Sequence, residues 1–500
     1  MAHMTRERVL SKTPDLLKFS LLLFFVILQA YLITVDFHLS IAIFGAISIL
    51  ILVAMSNTAS VILFFLITFT GEEFTGVTYF SQIFTDILLL SLLFAIFAKA
   101  MIGKIVRREK MKFAGMLPMV VFVVVCLVSS FYNGSGHINN LIYLRFIFQF
   151  YVFFTALLNL DLSENQIKLL NIFIIGLFVI QIPTAIIKWF SFGYSDLSRS
   201  IGGERAVGTY GGAPGEMSTL LPLFAIAFLL PMYIWTRKKW NLLLIFGFVL
   251  FSFLAGKRAF MIIVPFFVTV ILYICYKHIQ SETQKRTFIK YALLGLFIGI
   301  FVSVIGVIIN PTMNPGQEIG GTFDFNFLKD RIITYETGTT SDNVTTGRLS
   351  SSARVISVLS LDGAGPLLLG RGPGVFVKSG VVESTFRSGY EDEFGIMYGV
   401  TGFVWMFSQT GLLGVVVYLI FLGSLMKRVR RIDKAKLDLY WQIFRIGVLG
   451  TFVVILFDYF GYSISFISGK PLPSIVYYVI AILIFVADRK QEEGSLDTPE

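Results

Sequence analysis

Residues 259–276 read AFMIIVPFFVTVILYICY, an apolar segment without one charged side chain. About 20 such residues in a helix cross the hydrocarbon core of a bilayer. Similar runs recur along the chain, and of its 500 residues 56% are hydrophobic, 52 are Phe and only 14% are charged. No water-soluble core could bury so much apolar surface, so the composition predicts an all-α polytopic membrane protein.

The apolar runs predict about fourteen transmembrane helices. They lie near residues 17–36, 39–55, 57–70, 82–101, 113–132, 141–160, 168–192, 217–235, 240–256, 259–276, 290–310, 397–425, 440–462 and 473–488. We expect a cytoplasmic N-terminus over 1–18, whose first four residues resemble a scar from a removed tag. Transmembrane helices 1–11 follow over 19–310, then a large external loop over 311–395, helices 12–14 over 396–488 and a disordered cytoplasmic tail over 489–500.

The basic residues indicate the orientation, because loops on the cytoplasmic side are enriched in Lys and Arg. With a cytoplasmic N-terminus, four basic clusters fall on that side: Lys99 to Lys112, Arg237 to Lys239, Lys285 to Lys290, and Lys427 to Lys436. The positive-inside rule thereby explains most of the cations behind the net charge of +10. We therefore expect no nucleic-acid partner, and an even number of spans returns the C-terminus to the cytoplasm.

The 311–395 loop is predicted to contain one short amphipathic helix, from Ser350 to Leu361. Its predicted apolar face comprises Ala353, Ile356 and Leu359, widened by Val355 and Val358. Turn residues from Asp362 to Gly365 should end it. This helix would support Arg348 and Arg354; alternatively, it lies in the membrane interface with its arginines at lipid headgroups.

Several cations on the predicted external side are not explained by the positive-inside rule. Arginine binds phosphate oxygens bidentately, so these cations suit a lipid-linked diphosphate; snorkelling to outer-leaflet phosphates is the alternative. Residues 192–217 add a Gly-rich segment that could approach a ligand closely. The candidate binding residues are Arg205, Lys257, Arg258, Arg348, Arg354 and Arg371, with Glu204 and Tyr210 in the Gly-rich segment.

Candidates for acid–base chemistry are His137, Glu204 and the run Glu391-Asp392-Glu393 before the twelfth span. Arg145 and Lys188 lie within or at the outer ends of spans, with Asp86 and Asp458 as candidate partners. The sequence has no zinc-ligand spacing, Walker A motif or nucleophile elbow, and Cys126 and Cys275 lie in apolar runs. We therefore expect neither a metal nor a cofactor.

Three segments together resemble the signature region of the O-antigen ligase and polymerase superfamily. They are Thr346-Gly-Arg-Leu-Ser350, Gly365-Pro-Leu-Leu-Leu-Gly-Arg-Gly-Pro-Gly-Val-Phe376 and Gln409-Thr-Gly-Leu-Leu-Gly414, in that order and spacing. Upstream, Arg205-Ala-Val-Gly-Thr209 and Ala255-Gly-Lys-Arg-Ala259 are similar to earlier blocks of the family. The resemblance covers residues 200–425.

The resemblance implies a GT-C-like glycosyltransferase of the bacterial inner membrane. It would be inverting and metal-independent, and would use undecaprenyl-diphosphate-linked glycan donors and glycan acceptors at the outer face. Arg258 and Arg348 match the positions that hold the donor diphosphate. A chain-length regulator protein is a further expected partner.

The ligases of this family carry a His-Asn pair before the Gly-Leu-Leu-Gly block, and this chain has none. The corresponding stretch begins Glu391-Asp-Glu393, which favours a polymerase in which Glu393 or Asp392 activates the acceptor. The alternatives are a ligase that transfers glycan to lipid A core, a flippase or exporter of the same lipid-linked glycans, and a scaffolding protein. A flippase predicts short loops on both faces and cations in mid-membrane.

Overall fold

The computed structural model describes residues 56–75, 79–191, 208–209, 214–255, 258–279, 282–309, 314–316, 318, 320–338, 347–376, 386–397, 399–468 and 470–496. Over these ranges the regular elements are all helices, and no β-strand occurs. The predicted all-α class is confirmed.

The membrane helices before the loop are α1 (Asn57–Thr75), α2 (Tyr79–Arg107), α3 (Met116–Asn133), α4 (His137–Asn159), α5 (Glu164–Val179), α6 (Gln181–Ser191), α7 (Pro214–Thr236), α8 (Lys239–Leu254), α9 (Arg258–His278) and α10 (Glu282–Ile309). The loop contains α11 (Phe325–Thr337), α12 (Arg348–Leu361), α13 (Ala364–Leu369) and α14 (Phe386–Phe394). Then follow α15 (Gly402–Arg431), α16 (Leu439–Phe457), α17 (Ser465–Ser468) and α18 (Pro471–Leu496).

In the described part of the chain, nine helical segments are long and apolar enough to cross a membrane, and three shorter helices are also apolar. The chain is therefore a multi-pass membrane protein. Each of these helices overlaps one of the predicted spans. The first two predicted spans, 17–36 and 39–55, lie outside the described residues, so the count of fourteen stays a prediction.

The helix ends separate into two chemically different groups. At one end, Arg107 pairs with Asp161 at 2.6 Å, Lys112 with Glu492 at 3.1 Å, and Lys490 with Asp438 at 2.9 Å. We call this the basic end. At the opposite end, which we call the loop end, helix α13 of the loop contacts α3 and α15, and helix α12 contacts α15. The separation follows from the alternating direction of successive membrane helices.

Aromatic side chains fill the interior of the bundle. Tyr143 of α4 stacks on Trp405 of α15 with ring centroids 4.6 Å apart, and Phe64 of α1 stacks on Phe153 of α4 at 4.0 Å. Such pairs add about 1 kcal/mol each to the burial of their surface. Helix α18 packs against α4 and is the most deeply buried of the candidate spans.

The loop is more regular than the sequence predicts. The predicted helix is confirmed as α12, but its buried residues are Ser351, Val355 and Leu359, four apart, whereas Ala353 and Ile356 of the predicted face are exposed. A helix has 3.6 residues per turn, so residues that repeat every three positions gradually leave one face of the helix. The face of α12 that packs against the protein is instead formed by residues four positions apart. Helices α11, α13 and α14 were not predicted.

Two predicted boundaries also shift. Helix α15 begins at Gly402 rather than near 396, because the Thr401 side chain accepts a hydrogen bond from the Val404 amide at 3.3 Å and caps the helix. Helix α18 continues to Leu496, so residues 489–496, expected as disordered, are helical. The ion pairs of Lys490 and Glu492 hold this extension against the basic end.

Candidate functional site

The loop end is organised around an interruption in helix α15. Gly411 lies inside the helix with φ 62° and ψ −164°, a conformation that breaks the helical hydrogen bonding. The carbonyls of Ser408 and Gln409, just before the break, accept the amides of Arg371 at 2.8 Å and Gly372 at 3.0 Å. The Gln409 side chain also accepts the Gly374 amide at 2.8 Å. The loop segment 370–374 is thereby docked onto α15.

Glycine is required on both sides of this contact. A Cβ atom at Gly411 would collide with the backbone of Leu368, and one at Gly370, where φ is 69°, would collide with the backbone of Gln409. Positive φ and close backbone approach are the two conditions that only Gly satisfies without strain. The glycines of the two motifs therefore allow the loop and the broken helix to touch.

Helix α3 secures the same contact from the bundle side. The hydroxyl of Ser129 donates to the Leu369 carbonyl at 2.5 Å and lies 3.2 Å from the Gln409 carbonyl. An exposed loop would lack such anchors. The docked segment is therefore part of the folded core.

Arg371 connects three parts of the loop through its side chain. Its guanidinium pairs with Asp362 at the end of α12, and its Nε lies 2.7 Å from a carboxylate oxygen of Glu393 on α14. Side-chain exposure is 26% for Arg371 and 40% for Glu393. All three members of the acidic run are exposed, and Glu393 is the one for which the described part of the chain shows an ion pair. Glu393 thus differs from the two acidic residues before it in having a cationic partner.

Arg348, the first residue of α12, is held at the opposite end of that helix. Its Nε donates to the Tyr462 carbonyl at 2.7 Å, its guanidinium lies 5.0 Å from the Tyr462 ring centroid, and a terminal nitrogen lies 3.2 Å from Glu336 of α11. The Tyr462 hydroxyl is 2.8 Å from Thr219 of α7. Arg348 is only 12% exposed and is fixed to the membrane bundle through Tyr462.

Tyr462 lies in a short π-helical turn, Asp458–Tyr462, at the end of α16. The buried carboxylate of Asp458 accepts the Ser463 hydroxyl at 2.6 Å and the Phe466 amide at 2.7 Å. These bonds fix the turn that presents the Tyr462 carbonyl to Arg348. Asp458 therefore has a structural role at the loop end.

Arg258 begins α9 at the same level of the bundle as Tyr462. Gly450 of α16 faces Ile271 of α9, and the two helices run in opposite directions. Counting from that contact, Tyr462 and Arg258 are each roughly 18–20 Å away along the helices, toward the loop end. The backbone of Arg258 therefore lies at the same height as Tyr462, whose carbonyl accepts the hydrogen bond from the Arg348 side chain.

The three candidate arginines of the described loop, Arg348, Arg354 and Arg371, do not form a single cluster. Arg348 begins α12 and Arg371 pairs just beyond its end, so the two are about 20 Å apart along the helix axis. Between them, Arg354 is exposed and its Nε donates to the Phe394 carbonyl of α14 at 3.1 Å. The structure therefore provides a position at Arg348 and another at Arg371 and Glu393, with Arg354 in between.

The remaining predicted residues fall elsewhere or outside the described part of the chain. His137 begins α4 and is exposed, and the Lys188 ammonium donates to the Gly208 carbonyl at 2.8 Å. The Arg145 guanidinium lies 5.4 Å from the Phe146 ring centroid. Outside the described residues are Glu204, Arg205, Tyr210 and Lys257, together with the side chains of Arg258 and Asp86.

Tyr390 on α14 was missed by the sequence reasoning. Its hydroxyl lies 2.8 Å from that of Ser408, beside the helix break, and its ring lies 4.6 Å from the Phe376 ring. Burial raises the pKa of Tyr390, although the Ser408 bond opposes the shift, so the hydroxyl stays protonated. The spacing of Tyr390 and Phe394, four residues apart on a helix, is the signal that could have revealed this packing face.

Comparisons with known proteins add no relative. No protein-family model matches the chain, and no curated protein shows significant similarity to it.

Proposed function

We propose that this chain is a polysaccharide polymerase, an inverting, metal-independent glycosyltransferase that joins undecaprenyl-diphosphate-linked repeat units. One observation carries the proposal. The three motif segments of the sequence resemblance are far apart along the chain, yet Arg371 and Gly372 bind the carbonyls of Ser408 and Gln409, and α12 packs beside both segments. The proposed location is a bacterial inner membrane, with the loop end outside.

The donor diphosphate is assigned to the Arg348 end of α12. A guanidinium there, supported by the Tyr462 ring and carbonyl, would neutralise the charge that develops on the leaving diphosphate. Arg258 starts its helix at the same level and is the second proposed contact. Glu336, which pairs with Arg348 in this structure, would be displaced by the entering phosphates.

The acceptor is assigned to the Arg371 and Glu393 position. Its hydroxyl attacks the anomeric carbon as the bond from that carbon to the diphosphate oxygen breaks on the opposite face. Because Arg348 and Glu393 are held at different levels of α12 in this structure, the step requires α14 to move toward the bound donor. The hydroxyl proton then passes to the Glu393 carboxylate, and the diphosphate leaves with the bonding electron pair. Arg371 orients Glu393, and Arg354 lies between the donor and acceptor positions.

The proposal is tested with purified protein, reconstituted in liposomes and supplied with a synthetic undecaprenyl-diphosphate repeat unit. We expect longer lipid-linked glycans on a gel. Translocation of the unit without bond formation would indicate a flippase instead, and transfer only to lipid A core would indicate a ligase. Either result would overturn the polymerase assignment.

Within this assay, Arg348→Ala should lower the rate on the order of 100-fold, because one charge-assisted contact to the leaving group is lost. Arg348→Lys should restore only part of the rate, since a point charge cannot replace the planar fork. The matched control is Arg331→Ala on α11, an exposed loop arginine 5.7 Å from the Phe327 ring. Near wild-type chain extension by Arg348→Ala would remove this residue from the donor site.

A further inference from the structure

An apolar cleft opens in the basic half of the bundle, away from the loop end. It has a volume of about 210 Å³ and lies between α5 and α8, with α7, α16 and α18 behind it. The rings of Phe178, Phe224 and Phe248 pack together at its inner end, with centroids 5.6 and 6.3 Å from that of Phe178. Its wall is almost entirely hydrocarbon.

The cleft exists because two neighbouring helical segments diverge. Gly247 of α8 lies against Ile182 of α6, so closely that a Cβ atom at Gly247 would meet the Ile182 side chain. Helix α8 contacts α6 at this point, and toward the basic end the cleft lies between α5 and α8. Ile175 of α5 lines the opening and is 53% exposed, so the cleft opens sideways into the surrounding lipid.

The mouth of the cleft is polar and basic. Asn171 lines it and links two tyrosines, accepting from the Tyr478 hydroxyl at 2.8 Å and donating to the Tyr440 hydroxyl at 3.3 Å. Lys168 is one turn nearer the basic end, on the same face of α5, and Lys239 begins α8 on the other side. Both lysines are exposed, with Glu164 one turn before Lys168.

We propose that this cleft binds an anionic phospholipid, with one acyl chain between α5 and α8 and the phosphate at Lys168 and Lys239. The cleft is too narrow for a helix, whose diameter is about 10 Å, so a protein partner does not fit. An apolar wall with cations at the membrane surface matches a single acyl chain under a charged headgroup. This binding is independent of the proposed polymerase activity at the other end.

The test uses the full chain in phosphatidylcholine nanodiscs doped with phosphatidylglycerol that carries a photoreactive diazirine in one acyl chain. After irradiation, labelled peptides are mapped by mass spectrometry. We expect labels on the cleft segments of α5, α7 and α8. A phosphatidylcholine probe with the same diazirine chain should label them much less, since it lacks a net negative charge.

Two variants with matched controls separate the contribution of the acyl chain to binding from that of the headgroup. Ile175→Trp should block the opening and reduce labelling at least fivefold, whereas Leu117→Trp, at a lipid-facing position on α3, should not. Lys168→Gln with Lys239→Gln should also reduce labelling at least about fivefold. The matched control is the double variant Lys110→Gln and Lys436→Gln. Both lysines are exposed at the basic end, so this change should leave the labelling unchanged. Thermal unfolding and a monodisperse elution profile show that each variant is folded.

The proposal is overturned if both probes label the cleft equally, or if folded Ile175→Trp is labelled like the wild type. It is also overturned if unlabelled undecaprenyl phosphate displaces the probe and unlabelled phosphatidylglycerol does not. In that case the occupant is an isoprenoid chain.

Discussion

At the scale of single residues, the acidic run before α15 shows how position separates chemically identical groups. All three carboxylates are exposed on the same short helix, but it is Glu393 that lies 2.7 Å from the Arg371 side chain. The sequence resemblance ranks Glu393 first and Asp392 second as the proposed acceptor-activating group, but the pairing of Glu393 with Arg371 depends on which face of α14 meets that arginine and could not be predicted. Helix α14 itself was not predicted.

We expect Glu393→Gln to lower chain extension by about 10²-fold or more, the usual contribution of a positioned acid or base. Asp392→Asn and the control Glu391→Gln should remain near the wild-type rate. Rates of the three variants are compared in the reconstituted assay. Because the Arg371 pair is partly exposed, its loss should cost about 1 kcal/mol of stability or less, so melting temperatures should barely differ. Equal loss of rate in all three would remove Glu393 from its assigned role.

At the scale of secondary-structure elements, the break in α15 is the feature that joins loop and bundle. The sequence predicts an uninterrupted span over 397–425, because Gly411 is compatible with a hydrophobic helix. The positive φ of Gly411 accompanies contacts with residues distant in sequence. Leu368 packs against Gly411, and the amides of Arg371 and Gly372 donate to the carbonyls just before it. Hydrophobic periodicity predicts helices well, but it contains no information on where a loop will dock.

Gly411→Ala should release the docked segment, since the added Cβ would collide with Leu368 and the positive φ costs an estimated ~1–3 kcal/mol. Hydrogen exchange of residues 363–376 should rise sharply, and chain extension should fall with it. The matched control is Gly423→Ala in the same helix, where an added Cβ meets nothing within 4 Å. That change should be neutral or stabilise by about 0.5–1 kcal/mol. Unchanged exchange in Gly411→Ala would show that docking does not depend on the break.

At the scale of the whole molecule, the two ends of the bundle carry different chemistry. The basic end holds solvent-facing ion pairs and the proposed lipid cleft, whereas the loop end holds the docked motif segments and their arginines. Apolar run lengths and clusters of Lys and Arg predicted the membrane helices of the described residues and the basic end, because membrane thickness and the positive-inside rule act on sequence directly. The distance between Arg348 and Arg371, which is about the length of α12, could not be predicted from the sequence because it depends on how the loop folds.

The orientation of these ends in a membrane gives the last prediction. Reporter fusions after Lys112, Lys239 and Lys434 should report the cytoplasm, because these residues lie at the basic end. A fusion near Gly365 should report the outside; there α13 packs against α3 at the loop end, with Gly365 beside Tyr132. A cysteine at exposed Leu361, labelled by an impermeant maleimide in intact cells, gives the same information without truncating the chain. A cytoplasmic signal at both loop positions would place the arginines on the wrong leaflet for an externally displayed lipid-linked donor. The polymerase proposal would then fail, whereas the phospholipid cleft would simply face the other leaflet.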